Sequence, residues 1–252
     1  MSSIHPIAAF NDNYIWAFVH NDRIIVVDPG DAAPVEQFIR QQQLPLSAIL
    51  ITHWHADHTG GLAQLAGPGV AVYAPEHPAI TPVTHIVKNG EQLDIDGLLF
   101  DVIAVPGHTL EHVAYHCPAR QLLFCGDTLF AAGCGRLFEG SAQQMLDSLN
   151  SLASLPGATR VYCAHEYTLA NLQFARAVEP DNTAIWQREA HCRQLRQAGE
   201  PSLPSSIAEE LASNPFLRVT EPAVINSALS HGAASNRPVD VFYSLREWKN
   251  QF

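Results

Sequence analysis

Lysine and charge are the scarce commodities of this chain of 252 residues. Only Lys88 and Lys249 occur, and charged residues make up 15% of the sequence. Fourteen basic residues stand against twenty-five acidic ones, a formal charge of −11, with no run of Lys or Arg. Phosphate recognition needs a basic patch, so the composition argues against a nucleic-acid partner. No window approaches the ~18 consecutive apolar residues of a membrane span. The opening Met-Ser-Ser-Ile-His-Pro-Ile has no charged stretch leading into an apolar one. A cytoplasmic protein with no membrane partner is expected. The five cysteines, Cys117, Cys125, Cys134, Cys163 and Cys192, are odd in number and lack C-x-x-C spacing, so reduced thiols are expected instead of a disulfide framework. There is also no G-x-S-x-G elbow, which disfavours a serine nucleophile.

What is present is globular: 47% of residues are apolar, enough to build a core at this length. Short apolar runs at 24–27, 48–51, 70–73, 100–105, 113–116, 122–125 and 160–163 are bounded by turn residues and predict strands. Residues 33–42, 60–65 and 142–155 carry apolar positions at steps of three and four and predict helices. The mixture points to an α/β or α+β sandwich. After His165 the texture changes, with helices predicted over 169–178, 183–197 and 207–211. A β-rich part, 1–165, is therefore expected to precede a helical part, 166–252.

The strongest local signal is Thr52-His53-Trp54-His55-Ala56-Asp57-His58, directly after an apolar run. Alternation at a strand end sends His53 and His55 to one side, and a following turn can bring Asp57 and His58 to a neighbouring point. Such spacing can feed two metals about 3.5–4 Å apart, as in paired-ion hydrolases. His108, Asp127 and His165 repeat the theme, each a polar residue just beyond an apolar strand, where scaffolds present chemistry. His and carboxylate donors suit two divalent ions, zinc foremost, with iron or manganese also compatible. A structural zinc site would close four ligands, usually rich in Cys, around one ion. Seven candidate ligands leave positions for water and substrate.

The T-H-x-H-x-D-H segment with downstream His, Asp and His resembles the metallo-β-lactamase superfamily. The resemblance implies an αββα sandwich in which His53, His55 and His108 hold one metal, Asp57, His58 and His165 the second, and Asp127 bridges both. Asp57 and Asp127 would be the catalytic carboxylates. Phe10-Asn11-Asp12-Asn13-Tyr14, Cys125-Gly126-Asp127-Thr128-Leu129-Phe130, Gly133-Cys134-Gly135-Arg136-Leu137-Phe138-Glu139-Gly140, Cys163-Ala164-His165-Glu166-Tyr167-Thr168, Asn214-Pro215-Phe216-Leu217-Arg218 and the tail from Leu245 to Phe252 resemble the glyoxalase II family, in its bacterial form. That likeness implies a C-terminal helical domain gripping glutathione, with Arg136, Tyr167, Arg246 and Lys249 as its contacts. It also implies hydrolysis of S-(2-hydroxyacyl)glutathione, typically S-D-lactoylglutathione, by hydroxide at a dinuclear centre, yielding D-lactate and glutathione in methylglyoxal detoxification. A monomer acting on a small molecule is expected.

Arginines and a lysine isolated in an acidic chain fit an anion clamp, because Arg can hold a carboxylate in bidentate fashion. Glu111 departs from the family, which commonly has Gly there, and His112 is expected to play an outer or structural part. Three other members of the superfamily compete. A glutathione persulfide dioxygenase would use a single iron, a lactamase or lactonase would lack the glutathione-like segments, and a tRNA nuclease is disfavoured by charge.

Overall fold

In the computed structural model, which describes residues 2–252, β-branched and aromatic runs form strands and the 3.6-period stretches form helices. Two units result, and their segments interleave along the chain. The first comprises residues up to Ala104, Glu111–Gly126 and Ala164–Glu166, and the second Val105–Leu110, Asp127–Cys163 and Tyr167–Phe252.

In the first unit, β1 (Ser3–Ala9), β2 (Asn13–His20), β3 (Arg23–Val27), β4 (Leu46–Leu50), β5 (Ala71–Ala74) and β6 (His85–Ile86) lie side by side in chain order. The first three are antiparallel, and β3 to β6 run parallel. Asn21 and Asp22, both at positive φ, close the β2–β3 hairpin as a two-residue turn of the kind that matches strand twist. Helix α1 (Ala32–Gln42) links β3 to β4, and its N-cap Asp31 accepts from the Ala33 amide. The short α2 (Ala56–Thr59) and α3 (Leu62–Leu65) link β4 to β5. One face of the sheet buries Ile7, Ile15, Ile24, Val26, Ile49 and Val72 against Val35, Phe38, Leu62 and Leu65. The alternate residues Trp16, Phe18, Ile25, Val27 and Leu50 are buried too, so the sheet is covered on both faces.

A second set of strands, β7 (Gln92–Ile95), β8 (Leu98–Ala104), β9 (Val113–Cys117) and β10 (Leu122–Gly126), forms an antiparallel meander. Tyr115 of β9 joins the two sheets. Its ring is fully buried, and its hydroxyl donates to the carbonyls of Ile51 (2.8 Å) and Tyr73 (3.2 Å), just where the parallel strands end. Burial, above all, raises the phenol well above its usual pKa, so it stays a donor.

The second unit holds β11 (Leu129–Phe130), β12 (Gly133–Cys134), α4 (Ala142–Ala153), β13 (Arg160–Cys163), α5 (Thr168–Val178), α6 (Thr183–Gln197), β14 (Ser205–Ser206), α7 (Ile207–Ser213), α8 (Pro222–Ser230) and α9 (Pro238–Gln251). β11 pairs with β12, and β13 with β14. Ser141 and Gln144 cap α4 reciprocally in a capping box. Leu172 and Ala175 of α5 pack with Ile185 and Cys192 of α6. All five cysteines are buried. Among the described residues no helix is long and apolar enough to cross a membrane.

Removing the Tyr115 hydroxyl takes a donor from the Ile51 carbonyl, while the Tyr73 carbonyl keeps the Ile51 amide. Tyr115→Phe should therefore cost about 1–2 kcal/mol of unfolding free energy, read as a lower urea midpoint with an unchanged slope.

Candidate functional site

The first unit gathers five of the seven candidate ligands: His53, His55, Asp57, His58 and His165. They stand just past β4 and at the Ala164–Glu166 segment. Just past β4, at Thr52, the acceptor is a side chain, that of Asp28 at the end of β3. The Asp28 carboxylate is buried and accepts from the Thr52 amide (2.7 Å) and the Thr52 hydroxyl (2.7 Å), and it lies 3.0 Å from His58 Nδ1. Asp28 itself sits at positive φ (51°), which a short polar side chain tolerates. At Gly126 (φ 47°) a Cβ would stand 2.3 Å from the Thr52 hydroxyl and 2.9 Å from the His112 ring. Glycine is what allows β10 to end this close to the Thr52 turn.

His53 is fully buried, and its Nε2 lies 3.0 Å from His55 Nδ1, so the two imidazoles converge. Asp57 is oriented by Asn13, whose amide donates to Oδ2 at 3.0 Å. That same oxygen is 3.5 Å from His58 Nε2 and 3.5 Å from His165 Nε2. Asp57, His58 and His165 each bring one donor atom within 4.8 Å of the others. Asp12 accepts from His165 Nδ1 at 2.8 Å, which fixes the tautomer and turns Nε2 toward Asp57 and His58. The set contains imidazoles and a carboxylate with outer carboxylates behind them, and it includes no thiolate. It suits borderline divalent ions.

The second unit holds His108 and Asp127 together with all four expected glutathione contacts. His108 Nδ1 donates to the Arg136 carbonyl (2.9 Å), and its Nε2 is 3.5 Å from Asp127 Oδ2. A Cβ at Gly135 would stand 2.0 Å from the Asp127 carbonyl oxygen, so the loop can only pass with glycine there. A cavity of about 580 Å³ is lined by His108, Asp127, Arg136, Tyr167, Arg246 and Lys249, among others. Arg246 is buried, donates to the Cys134 carbonyl (2.8 Å), and keeps an Nε with no hydrogen-bond partner among the described residues. Lys249 donates to the Ala170 carbonyl. Its ammonium pKa is pushed below the usual lysine value, first by burial and then by the facing charges of Arg246 and Arg136. A lysine opposed by the charges of two arginines on the wall of the same cavity marks a place suited to an anion.

The chain passes between the units at 104/105, 110/111, 126/127, 163/164 and 166/167. His108 lies within the six-residue segment Val105–Leu110 of the second unit, Asp127 opens a longer one, and His165 is the middle residue of Ala164–Glu166 of the first. Asp12, Asn13 and Asp28 were not singled out as site residues from the sequence. Asp28 follows an apolar strand as Asp127 does, but in Asp-Pro-Gly that placement reads as a turn.

Residues 10–165 match the family model described as the metallo-beta-lactamase superfamily, and residues 166–252 match that of the hydroxyacylglutathione hydrolase C-terminus. Among solved structures, the BLEG-1 B3 metallo-beta-lactamase is similar at a TM-score of 0.64 and 25% identity, over 86% of this chain and 99% of that one. ETHE1 from Myxococcus xanthus is similar at a TM-score of 0.66, over 99% of this chain and 98% of that one, but at 22% identity it speaks for the fold alone. Fold and ligand pattern together define a member of the metallo-β-lactamase superfamily, an α/β sandwich with a helical C-terminal part. The chain is also 51% identical over 257 residues to the hydroxyacylglutathione hydrolase of Nitrosomonas eutropha, covering 100% of both. It belongs to the hydroxyacylglutathione hydrolase family.

Asp28 is the acceptor for two donors of Thr52 and faces His58, all buried. Asp28→Ala should cost roughly 3 kcal/mol or more, because it strands buried polar groups. Chemical denaturation of the metal-free chain reads this directly, and a loss below about 1 kcal/mol would contradict the role given to Asp28.

Proposed function

We propose that this chain hydrolyses the thioester of S-(2-hydroxyacyl)glutathiones, S-D-lactoylglutathione foremost, to a 2-hydroxy acid and glutathione, as a step of methylglyoxal detoxification. The observation that carries the reading is the second-unit cavity, in which two metal-type donors, His108 and Asp127, line the same wall system as Arg136, Arg246, Lys249 and Tyr167. Full-length relatives bearing the name hydroxyacylglutathione hydrolase support it. In this reading His53, His55 and His108 would hold one divalent ion and Asp57, His58 and His165 a second, with Asp127 as a further ligand. Zinc is the proposed metal. When bound, the ions supply Lewis acidity, which brings water ionisation toward pH ~7 and polarises a carbonyl.

The chain's own residues do the rest. Glutathione presents two carboxylates and an ammonium, and Arg136, Arg246 and Lys249 offer cations for the carboxylates, with Tyr167 adding a hydroxyl and a ring. Anchored there, the thioester carbonyl is held beside His108 and Asp127. Asn13 keeps Asp57 in one orientation and Asp12 keeps His165 in one tautomer. Hydroxide adds to the carbonyl carbon, the C–S bond breaks, and the sulfur departs as a thiolate. A thiolate leaves readily, so no strong general acid is required of the protein. Residues 1–165 thus form the catalytic part and 166–252 the part that contributes to binding. The proposed setting is a cytoplasmic monomer without nucleic-acid or membrane partners, in keeping with a charge of −11.

Purified protein should hydrolyse S-D-lactoylglutathione with about two metals per chain, lose activity on chelation and regain it on remetallation. Fully metallated protein without turnover would sink the substrate assignment, and oxygen uptake with glutathione persulfide would then be the next measurement. Because the Lys249 pKa is lowered, the ammonium loses its charge at a lower pH than an ordinary lysine. The Michaelis constant should therefore rise as alkaline pH passes through that range. Lys249→Arg stays charged and should flatten the rise. An identical profile in both proteins would remove Lys249 from substrate binding.

A further inference from the structure

Close to the proposed ligands stands another acidic side chain of the first unit, Glu111. Glu111 is half-buried, and its Oε1 accepts the backbone N–H of Trp54 at 3.0 Å. Trp54 is the residue between His53 and His55. Residues 52–54 lie beyond the end of β4, so strand pairing does not by itself dictate where their amides point. A carboxylate acceptor gives such an amide a charge-assisted bond, about twice the strength of a neutral one.

Two further contacts come from the residues next to Glu111. The His112 ring stacks on the His53 ring, with centroids 4.6 Å apart and planes 14° from parallel. The Val113 amide donates to the Thr52 carbonyl at 2.9 Å. Residues 111–113 therefore grip residues 52–54 by a carboxylate-to-amide bond, a ring stack and a backbone bond. Against Trp54 itself, the His77 ring stacks at 5.1 Å and the His55 ring sits edge-on at 4.6 Å. The peptide between the two histidines is thus held by Glu111 while its side chain is held by His77 and His55.

We propose that Glu111 is a positioning residue: by fixing the Trp54 amide it sets the orientation of the His53 and His55 imidazoles toward a shared metal ion. The inference rests on the reading of His53 and His55 as ligands of one ion. His53 Nε2 and His55 Nδ1 are 3.0 Å apart, and a small rotation of the intervening peptide would splay them. Outer groups that orient metal ligands are worth about 10–100-fold in metal affinity. Glu111 acts through one peptide, so the lower end of that range applies.

Two conservative variants separate positioning from charge. Glu111→Gln keeps an oxygen acceptor at the same reach and removes the charge. Glu111→Asp keeps the charge and falls one methylene short. Metal-free wild type and both variants are titrated with Zn²⁺ against a chromophoric chelator, and with Co²⁺ to follow the ligand-field spectrum. Exchange of the Trp54 amide is followed by NMR. Glu111→Asp should weaken one of the two ions about tenfold, alter the Co²⁺ spectrum and speed Trp54 exchange. Glu111→Gln should stay within about twofold of wild type. The opposite order, or two variants indistinguishable from wild type, overturns the proposal. No substrate is used, so a wild-type chain that binds two ions yet leaves the thioester intact sinks the substrate reading and leaves this one standing.

Discussion

The end of the first unit that carries the candidate metal ligands depends on a buried carboxylate, that of Asp28. Several imidazoles brought out of water at the end of one sheet have no reason to share an orientation, since each ring can rotate and each has two nitrogens. Asp28 removes that freedom at its root by taking both the amide and the hydroxyl of Thr52, so the chain leaves β4 in one direction only. It also faces His58 Nδ1, which leaves Nε2 on the side of Asp57. Asp12 does the same for His165. The ligands are thus the visible layer of an arrangement whose order comes from carboxylates one step behind them.

A comparable constraint governs the second unit. The loop after Asp127 carries Arg136 and lines the cavity, yet its backbone runs largely through buried ground, where each N–H and C=O needs a partner. Side chains from the helices supply them. Asn171 donates to the Ala131 carbonyl, Glu210 accepts from the Ala132 amide, Asn214 donates to the Phe130 and Gly133 carbonyls, and Arg246 donates to that of Cys134. Glu210 is itself ion-paired to Arg188. The helices of 166–252 therefore hold the loop in shape, and Arg246 serves both as part of that support and as a wall of the cavity.

The candidate ligands stand out in the sequence because four donors fall within six residues and three strand-end polar residues echo them. The supporting residues were less visible for a physical reason: Asp28 lies in Asp-Pro-Gly, and turn chemistry and outer-ligand chemistry use the same residue types. The cations of α9 could be read only through family likeness, since Arg246 and Lys249 on a terminal helix also suit a solvated face. Among the elements, β1 escaped notice because Pro6 breaks its pattern, which an edge strand tolerates. β2 has little alternation because the sheet is buried on both faces. The strands at 122–125 and 160–163 and the helices over 169–178 and 183–197 stand within a residue or two of their expected ends, where periodicity is strong and bounded by turns.

An acidic chain that takes a glutathione thioester, whose two carboxylates outnumber its ammonium, must do so against its own field, and the distribution of its few cations bears on how. Arg176, Arg188, Arg193, Arg218 and Arg237 are each matched to a carboxylate of the second unit. The charges acting on Lys249 are instead those of Arg246 and Arg136, cations like itself. Three like charges around one cavity cost free energy in the empty protein, and a ligand with two carboxylates relieves that cost. On the proposed reading, part of the binding free energy would be stored as repulsion between these cations and released to an anion that reaches into the cavity, where screening by salt is weaker than at the surface. Scarcity of lysine and the local crowding of positive charge are then two aspects of one design, in which the net charge would keep anions off the surface and the proposed cluster would admit them at one place.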